Sequence, residues 1–346
     1  MQHPTRTTAD PHGLRCRLVR FITGLAVLAG FFSGAKAAPQ SVEMTQAQLE
    51  QQLTDESGAL HTFIRTLEQS IQSGNLQAVE AAVDQDAILT RATQRLDFPG
   101  DNTVRDLFFD STKRAWADRG VTTDYRNSKF RFLRTRTLKG RAGLLFRSSN
   151  REGGINYALF TLFETEPGQY RIADIFVVGL NEFLSDTLHR TWLNIAAGFL
   201  GEDAAQIKGV NVEYVSHIGE IASLSRQINA GEYGETLKSA KTLPASLQRE
   251  RTILLIRMDA AEHVSLAERN AVYTDWLAAY PDEMELPLKL VHFYSSQARW
   301  DDAERVMRGL MNRLGSDAML KTELGSIMYR RDQAKALVGK AGLSAR

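Results

Sequence analysis

Few residues in this 346-residue chain have the types and the spacing that chemistry requires. Asp301 and Asp302 are adjacent carboxylates, and paired carboxylates are a common source of general acid and base catalysis. Asp174 is the other candidate, because it interrupts the apolar stretch YRIADIFVV, and Tyr157 and His61 are the groups that would assist it in proton transfer. We interpret Asp174 as an acid paired with an arginine and keep catalysis as the weaker alternative.

Metal and nucleotide chemistry have no support in the sequence. The histidines at 189, 217, 263 and 292 are neither four residues apart nor part of an H-E-x-x-H motif. A nucleophile elbow, a P-loop and a G-x-G-x-x-G fingerprint are also missing from the sequence. We therefore expect a protein without metal, cofactor or enzymatic activity.

The amino terminus predicts export. Arginines at 15, 17 and 20 lie directly before the apolar run FITGLAVLAGFF at 21–32, and Ala35 and Ala37 complete a small-residue cleavage site before Ala38. A retained membrane anchor is the alternative, but the run is shorter than the roughly 20 residues that span a bilayer. We predict a signal peptide over 1–37 and a soluble mature protein, periplasmic or secreted.

The mature chain would differ from the full chain in two ways. Its net charge would be about −3, because the leader carries more basic than acidic groups. This charge gives no general attraction to nucleic acid, and we expect no nucleic-acid partner. The single cysteine, Cys16, would be removed with the leader, so disulfides and thiol chemistry are excluded.

Helical periodicity followed by strand periodicity predicts an α+β domain. Residues 61–89 show two helical patterns separated by Ser73-Gly74-Asn75, and TVRDLFFDSTKRAWADRG forms a third. Four strand patterns then lie between 128 and 178, with turns at Arg151–Gly154 and at Pro167-Gly168. This order resembles the nuclear-transport-factor-2-like, or cystatin-like, cone fold, in which helices pack on a curved antiparallel sheet. The resemblance implies a cavity between helix and sheet.

The first two strands are strongly basic. Residues 125–151 contain nine basic side chains and no acidic one. On adjacent strands they would form a positive face for an anionic lipid, a glycan or an acidic protein, although a solvated face balanced by acids from elsewhere remains the alternative. The residues assigned to this anionic-ligand face are Arg126, Lys129, Arg131, Arg134, Arg136 and Arg141.

The carboxy-terminal part repeats with a period of about 34 residues. Tyr233, Leu266 and Trp300 are 33 and 34 residues apart, and apolar residues recur at matched positions after each of them. The segment ELPLKLVHFYSSQARWDDAERVMRGLMNRLG resembles a tetratricopeptide helix–turn–helix unit. Asp301 and Asp302 would then open the second helix of a unit, which is a structural position that favours carboxylates.

The resemblance to tetratricopeptide proteins implies a concave groove lined by the first helix of each unit. Departures from the motif, such as Arg269 in place of a small residue, indicate a degenerate array that ends in a capping helix. The residues assigned to the groove are Arg251, Met258, Glu262, Glu285, His292 and Ser296.

These patterns predict four segments: a signal peptide (1–37), a linker or lead-in helix with little to anchor it (38–57), the cone-type α+β domain (58–195) and an all-α repeat domain (196–346). Our first hypothesis is a non-enzymatic adaptor that binds a protein or peptide of the cell envelope. The alternative is a carrier of a hydrophobic or phospholipid ligand, because YRIADIFVVGLNEFLSDTLHRTW is similar to the strand–helix junction of periplasmic phospholipid-shuttle proteins. A small cone-fold enzyme that uses Asp174 is the third hypothesis.

Overall fold

The structure is a computed structural model that describes residues 42–94, 103–119, 129–149, 154–200 and 210–344. The predicted signal peptide and Cys16 lie outside these residues, as do Arg126 and most of the turn predicted at Arg151–Gly154. An antiparallel sheet with helices comes first in the chain and a run of helices follows, as the sequence predicts at this coarse level. Among the residues described, no helix is both long and apolar enough to span a membrane.

In the described part of the chain, five helices precede the sheet. They are α1 (Gln46–Gln52), α2 (Ala59–Ser73), α3 (Leu76–Ala82), α4 (Gln85–Thr93) and α5 (Thr103–Arg119). The predicted break between α2 and α3 is confirmed. Gly74 ends α2 with a positive φ of 73°, a conformation that glycine adopts without strain, and the side chain of Asn75 caps α3.

The sheet has five antiparallel strands in sequential order. They are β1 (Lys129–Leu138), β2 (Arg141–Ser149), β3 (Ile155–Glu166), β4 (Gln169–Val177) and the short β5 (Glu182–Phe183). The turn predicted at Pro167-Gly168 joins β3 to β4, with Gly168 at a positive φ of 79°. The two-residue β5 was not predicted. It follows a single 3-10 turn at Val178–Leu180.

The pairing of the strands shifts at three places, one of them near the β3–β4 turn between Glu164 and Glu166, and the other two decide which side chains share a face around Asp174. Pairing shifts by one residue at Leu133 in β1 and at Ala173 in β4. Strict alternation along YRIADIFVV would place Asp174 on the face of Tyr170, Ile172 and Phe176, and the structure agrees for Phe176 but not for Tyr170 or Ile172. Asp174 pairs with Thr161 whereas Ile172 pairs with Leu162, so the bulge at Ala173 turns Asp174 to the opposite face.

One face of the sheet carries stacked aromatic rings. Phe130 and Phe146 are parallel with centroids 4.7 Å apart, and Phe146 lies 5.1 Å from Phe160. All three rings are fully buried, and α2 contacts β1 and β4. We call this the ring face. The opposite face carries Asp174 together with arginines of β1 and β2, and we call it the arginine face.

The lead-in segment is firmly attached, contrary to our expectation. The structure describes residues 42–57 of this segment, and residues 42–52 are referred to below as the strap. Met44 and Leu49 are buried, and the Met44 N–H donates a 2.8 Å hydrogen bond to the carbonyl oxygen of Leu162. Thr45 and Gln48 form a capping box that starts α1. The strap is therefore part of the sheet domain rather than a linker.

Helices account for the rest of the described chain. The helix α6 (Leu184–Leu200) runs through the predicted domain boundary at 195 and 196. The helices that follow are α7 (Val212–Ser216), α8 (Ile218–Ala230), α9 (Tyr233–Thr242), α10 (Ala245–Gln248), α11 (Arg251–Val264), α12 (Leu266–Ala279), α13 (Pro287–Ser296), α14 (Trp300–Leu314) and α15 (Ala318–Ser344), with a 3-10 turn at Glu283–Glu285.

The predicted register of the helices agrees with the structure. Tyr233, Leu266 and Trp300 are each the first residue of a helix, namely α9, α12 and α14. Each of these helices packs against the helix before it, from which one to three residues separate it. The matched positions Ala240, Tyr273 and Met307 are all buried. The second helices of the three pairs therefore begin at intervals of 33 and 34 residues and bury residues at matched positions.

Candidate functional site

Asp174 is a fully buried carboxylate with many fixed partners. Its Oδ2 lies 2.7 Å from Arg141 and 3.5 Å from Arg91, and the hydroxyl of Ser185 donates to the same oxygen. Its Oδ1 accepts backbone N–H groups of Ile175 and Ser185 at 2.9 and 3.2 Å. Both carboxylate oxygens of Asp174 therefore accept hydrogen bonds from fixed donors, which is the arrangement of a structural ion pair.

The two assistants considered for Asp174 are bound elsewhere. The Tyr157 hydroxyl donates to Asp317 at 3.2 Å, and Nε2 of His61 lies 3.1 Å from the carbonyl oxygen of Leu53. Burial, reinforced by the charge of Asp317, raises the pKa of Tyr157 far above its usual 10.0 and keeps it protonated. The three residues do not converge on a common space.

Glu43 of the strap completes the cluster around Asp174. Its carboxylate accepts hydrogen bonds from Nε and NH2 of Arg141, from the Thr161 hydroxyl at 3.0 Å, and lies 2.9 Å from Arg91. Burial alone would raise the pKa of Glu43, but hydrogen bonding and charge from Arg141, with help from Arg91, hold it below 4.5. We call Arg91, Arg141, Thr161 and Asp174 the strap site.

Three arginines assigned to the anionic-ligand face have partners within the chain. Arg141 belongs to the strap site. The Nε of Arg136 donates to the carbonyl oxygen of Leu314 at 2.9 Å, and Arg134 donates to that of Ser316 at 2.8 Å. These carbonyls follow the carboxyl end of α14, where the helix dipole is negative, so the guanidinium groups occupy a favourable position.

Arg147 and Tyr157 extend this contact to the next helix. Arg147 lies 3.0 Å from Oδ2 of Asp317, and the Oδ1 of the same carboxylate accepts the backbone N–H of Leu320 at 2.9 Å, which caps α15. We call Arg134, Arg136, Arg147 and Tyr157, with their partners at 314–317, the helix clamp. Lys129 and Arg131 are exposed, and for them an anionic ligand stays a prediction.

The residues assigned to the groove are not all accessible. Met258 is fully buried and Arg251 is 9% exposed. Arg251 binds Glu285 at 2.7 Å and also donates to the carbonyl oxygen of Leu180, at the end of the sheet. The sheet domain therefore covers this part of the predicted groove.

The other groove residues lie nearer the surface. Glu262 pairs with Lys289 at 2.7 Å, and the hydroxyl of Ser296 donates to the carbonyl oxygen of Phe293 at 2.8 Å. His292 is half-buried on α13. The six residues thus belong to several separate contacts, and two of them, Arg251 and Met258, are buried.

Sequence reasoning missed a buried charge cluster between α6 and α11. Glu182 is 6% exposed and binds Arg190 in two parallel hydrogen bonds of 2.6 and 2.8 Å, with Arg251 3.5 Å away. Burial opposes ionisation of Glu182, but Arg190, Arg251 and Thr187 outweigh it and lower its pKa below 4.5. Glu182 and Arg190 are eight residues apart on different elements, so no helical spacing signalled the pair.

Acid is expected to destabilise the protein through Glu43 and Glu182. Both have a folded pKa below the ordinary 4.5, so each contributes stability that is complete above pH 4.5 and is lost as the pH falls through the folded pKa. Urea unfolding at about pH 7 and about pH 3 measures this loss. The Glu182→Gln variant should lose less stability in acid than the wild type, whereas Glu235→Gln, in an exposed ion pair, should behave like the wild type. An equal loss in all three proteins would contradict the assignment.

Asp301 and Asp302 lie in the first turn of α14, as predicted. Asp302 pairs with Arg299 and Arg305 at 2.6 Å each, and hydrogen bonds from these arginines lower its pKa. Asp301 is 76% exposed and lies 3.6 Å from Lys335. The two carboxylates therefore bind different cations and do not share a proton.

A surface cleft of about 420 Å³ opens beside these carboxylates, between the start of α14 and the second half of α15. Its size falls within the range of ligand sites. Trp300 is partly exposed, and two alanines line the same cleft. We call it the end cleft. Its lining residues are Ala298, Arg299, Trp300, Asp301, Asp302, Arg331, Ala334 and Lys335.

Comparisons with known proteins do not add a function. No family model, no curated protein and no solved structure matches this chain. Within the described ranges no group of three or more histidine, cysteine, aspartate or glutamate side chains is arranged to hold a metal ion.

Proposed function

We propose that this protein is a non-enzymatic adaptor of the cell envelope, exported by its amino-terminal signal peptide and acting in the periplasm or as a secreted protein. In this proposal the sheet domain is of the cone type and the helical part is a degenerate tetratricopeptide-type array. The array binds a protein or peptide partner at the end cleft. The observation that carries the proposal is the open cleft at Trp300, at the end of a series of regular helix pairs.

The end cleft is favoured over the concave groove because of accessibility. Met258 and Arg251 are covered, whereas Asp301 and Lys335 expose 76% and 64% of their side chains. Repeat arrays use surfaces that remain open after their helices have packed. The part of the array around Trp300 meets this condition.

The chemistry of the cleft indicates the kind of segment that it binds. Trp300 and the methyl groups of Ala298 and Ala334 offer an apolar floor for one side chain. Among the residues that the structure describes, Lys335 at the rim forms an ion pair with the exposed Asp301 alone, and at 3.6 Å such a surface pair is weak. We therefore expect a peptide segment with an apolar side chain next to an acidic one.

Reversing the charge of Lys335 tests the proposal. Lys335→Glu should reduce partner affinity about ten-fold because it replaces attraction of the acidic side chain by repulsion. Affinity capture from cell-envelope extract, with quantitative mass spectrometry of the bound fraction, compares this variant with the wild type and with Lys321→Glu. Lys321 is exposed on the same helix but lies outside the cleft, so its variant has the same net charge.

The expected result is a set of envelope proteins that bind the wild type and Lys321→Glu and are depleted with Lys335→Glu. A second pair of variants, Trp300→Ala and Leu266→Ala, should behave in the same way. Leu266 occupies the matching position in the preceding unit and is 52% exposed. Equal capture by all variants, or no capture at all, would count against the end cleft as the binding site.

A further inference from the structure

The strap enters the sheet where two strands separate. The pairing of β2 with β3 runs from Ser149 and Ile155 to Leu144 and Phe160, and it stops there although both strands continue. In the gap, the Met44 N–H donates to the carbonyl oxygen of Leu162 at 2.8 Å, and the Met44 side chain is 6% exposed. The strap thus binds by a main-chain hydrogen bond and a buried apolar side chain, as peptides do when they add to a sheet.

The carboxylate of Glu43 adds charge recognition to this contact. Arg141 contributes two donors, Nε at 3.0 Å and NH2, which is the bidentate geometry that guanidinium groups form with carboxylates. Arg91 at 2.9 Å and the Thr161 hydroxyl at 3.0 Å complete the set. The Glu43 side chain still exposes 19% of its surface, so this site opens to solvent.

The arginines that bind Glu43 also have partners outside the strap. Arg141 is held by Asp174 at 2.7 Å and lies 3.8 Å above the ring of Phe183. Arg91 donates to the carbonyl oxygen of Ala173 at 3.0 Å. All of these partners belong to the sheet domain itself, so the site is preorganised for a ligand.

Charge also favours an anion in this site. Two guanidinium groups, those of Arg91 and Arg141, face two carboxylates, those of Asp174 and Glu43. Without the Glu43 carboxylate, Asp174 would be the one negative charge facing the two guanidinium groups in a site that is mostly buried. An uncompensated buried charge is costly, so a replacement carboxylate would bind there.

We propose that Arg91, Arg141 and Thr161 form a binding site for the carboxylate of an extended peptide segment, that Glu43 occupies it as a ligand within the same chain, and that an acidic segment of a partner takes the place of the strap. The partner segment carries a glutamate followed by an apolar residue, because Glu43 and Met44 are the residues that the site holds. This site is separate from the end cleft and does not depend on the proposed function of the cleft.

The tether of the strap controls access to the site. A ligand joined to its site by a short linker has an effective concentration in the millimolar range. A free peptide of the same sequence is therefore excluded from the wild-type protein at micromolar concentrations. Weakening the strap at Glu43 should admit it.

The experiment uses the whole chain with Glu43→Ala. This variant should unfold at a lower temperature than the wild type, and sodium formate should restore more of its Tm than sodium chloride at equal ionic strength. Glu56→Ala, which removes an exposed carboxylate just after the strap, should show no difference between the two salts. Glu43→Gln retains the volume of the side chain, so formate should not stabilise it either.

The second measurement tests the extended segment. A fluorescent peptide of residues 42–53 should bind Glu43→Ala at least about ten-fold more tightly than it binds the wild type, and about ten-fold more tightly than the same peptide with glutamine at position 43. If Glu43→Ala does not fold, the comparison of the two peptides is made with Glu43→Gln. Equal binding of the two peptides, or stabilisation by formate without selective peptide binding, overturns the proposal.

Discussion

Replacing Gly315 by alanine is expected to destabilise the protein by about 4 kcal/mol, because the substitution acts on the backbone and on the helix clamp together. Gly315 has φ 78° and ψ 146°, a region that is almost restricted to glycine. An added Cβ would also overlap with the guanidinium groups of Arg134 and Arg136, which bind the carbonyl oxygens on either side of Gly315. Urea unfolding measures the change in the free energy of unfolding.

Gly231 supplies a matched control. It also has a positive φ, 81°, but an added Cβ there would have no neighbour within 4 Å. Gly231→Ala should therefore cost only about 1 kcal/mol of backbone strain. The two glycines also differ in ψ, which is 146° at Gly315 and 13° at Gly231, so part of the difference is backbone strain. The share of the helix clamp is the amount by which Gly315→Ala costs less in a background with Arg134→Ala and Arg136→Ala. Equal effects of the two glycine substitutions would show that the clamp contributes nothing.

The helix clamp connects two predictions that the sequence kept apart. The basic strands were assigned to an external anion, and the helical array was assigned to a separate domain. In the structure, Arg134, Arg136 and Arg147 bind the segment from Leu314 to Asp317. The carboxyl end of a helix has free carbonyl oxygens and the negative end of the helix dipole, so it binds arginine side chains as an anion would. The basic composition of β1 and β2 indicated that these strands bind negatively charged groups. It did not indicate that those groups belong to the same chain.

Local periodicity was sufficient for the helical part of the fold. The helices α9, α12 and α14 start at the repeat positions Tyr233, Leu266 and Trp300. Apolar residues at helical spacing and short turns both depend on residues that are close together in the sequence, so they can be recognised from it. The faces of the sheet were harder. A single-residue bulge at Ala173 reverses the side on which Asp174 lies, and nothing in the stretch YRIADIFVV marks it.

The candidate sites were predicted less well than the fold for a related reason. Glu43 and Arg141 are 98 residues apart, and Arg147 and Asp317 are 170 apart. Ion pairs across such separations have no local spacing rule, in contrast to pairs three or four residues apart on a helix. Arg299 and Asp302 are a pair of the local kind, three residues apart, and the sequence did place Asp302 at the start of its helix.

Two carboxylates bind the arginines of the strap site: Asp174, which belongs to the site, and Glu43, which lies on the strap. We expect their removal to have different consequences for stability. Asp174 is fully buried on β4 and accepts donors from the backbone as well as from Arg141. Glu43 is partly exposed and lies on the strap. Loss of Glu43 leaves a gap that a small anion can enter from solvent, whereas loss of Asp174 leaves two guanidinium groups without their anchor.

Asp174→Ala is therefore expected to reduce the free energy of unfolding by about 4 kcal/mol, a larger loss than that of Glu43→Ala, since a buried charged partner is removed without replacement. Formate should not restore its stability, because Asp174 is fully buried. Glu268→Ala, which breaks a partly exposed ion pair with Lys241, should cost less than about 1 kcal/mol.

Asp174→Asn separates the structural role from a catalytic one. Asparagine retains the shape and the acceptor for the backbone N–H groups of Ile175 and Ser185 but removes the charge, so we expect an intermediate loss of stability. A catalytic carboxylate would behave differently, because its neutral isostere abolishes turnover while the fold keeps its stability. If Asp174→Asn unfolds at the same urea concentration as the wild type, the ion pairs with Arg141 and Arg91 are not what retains a carboxylate at this position.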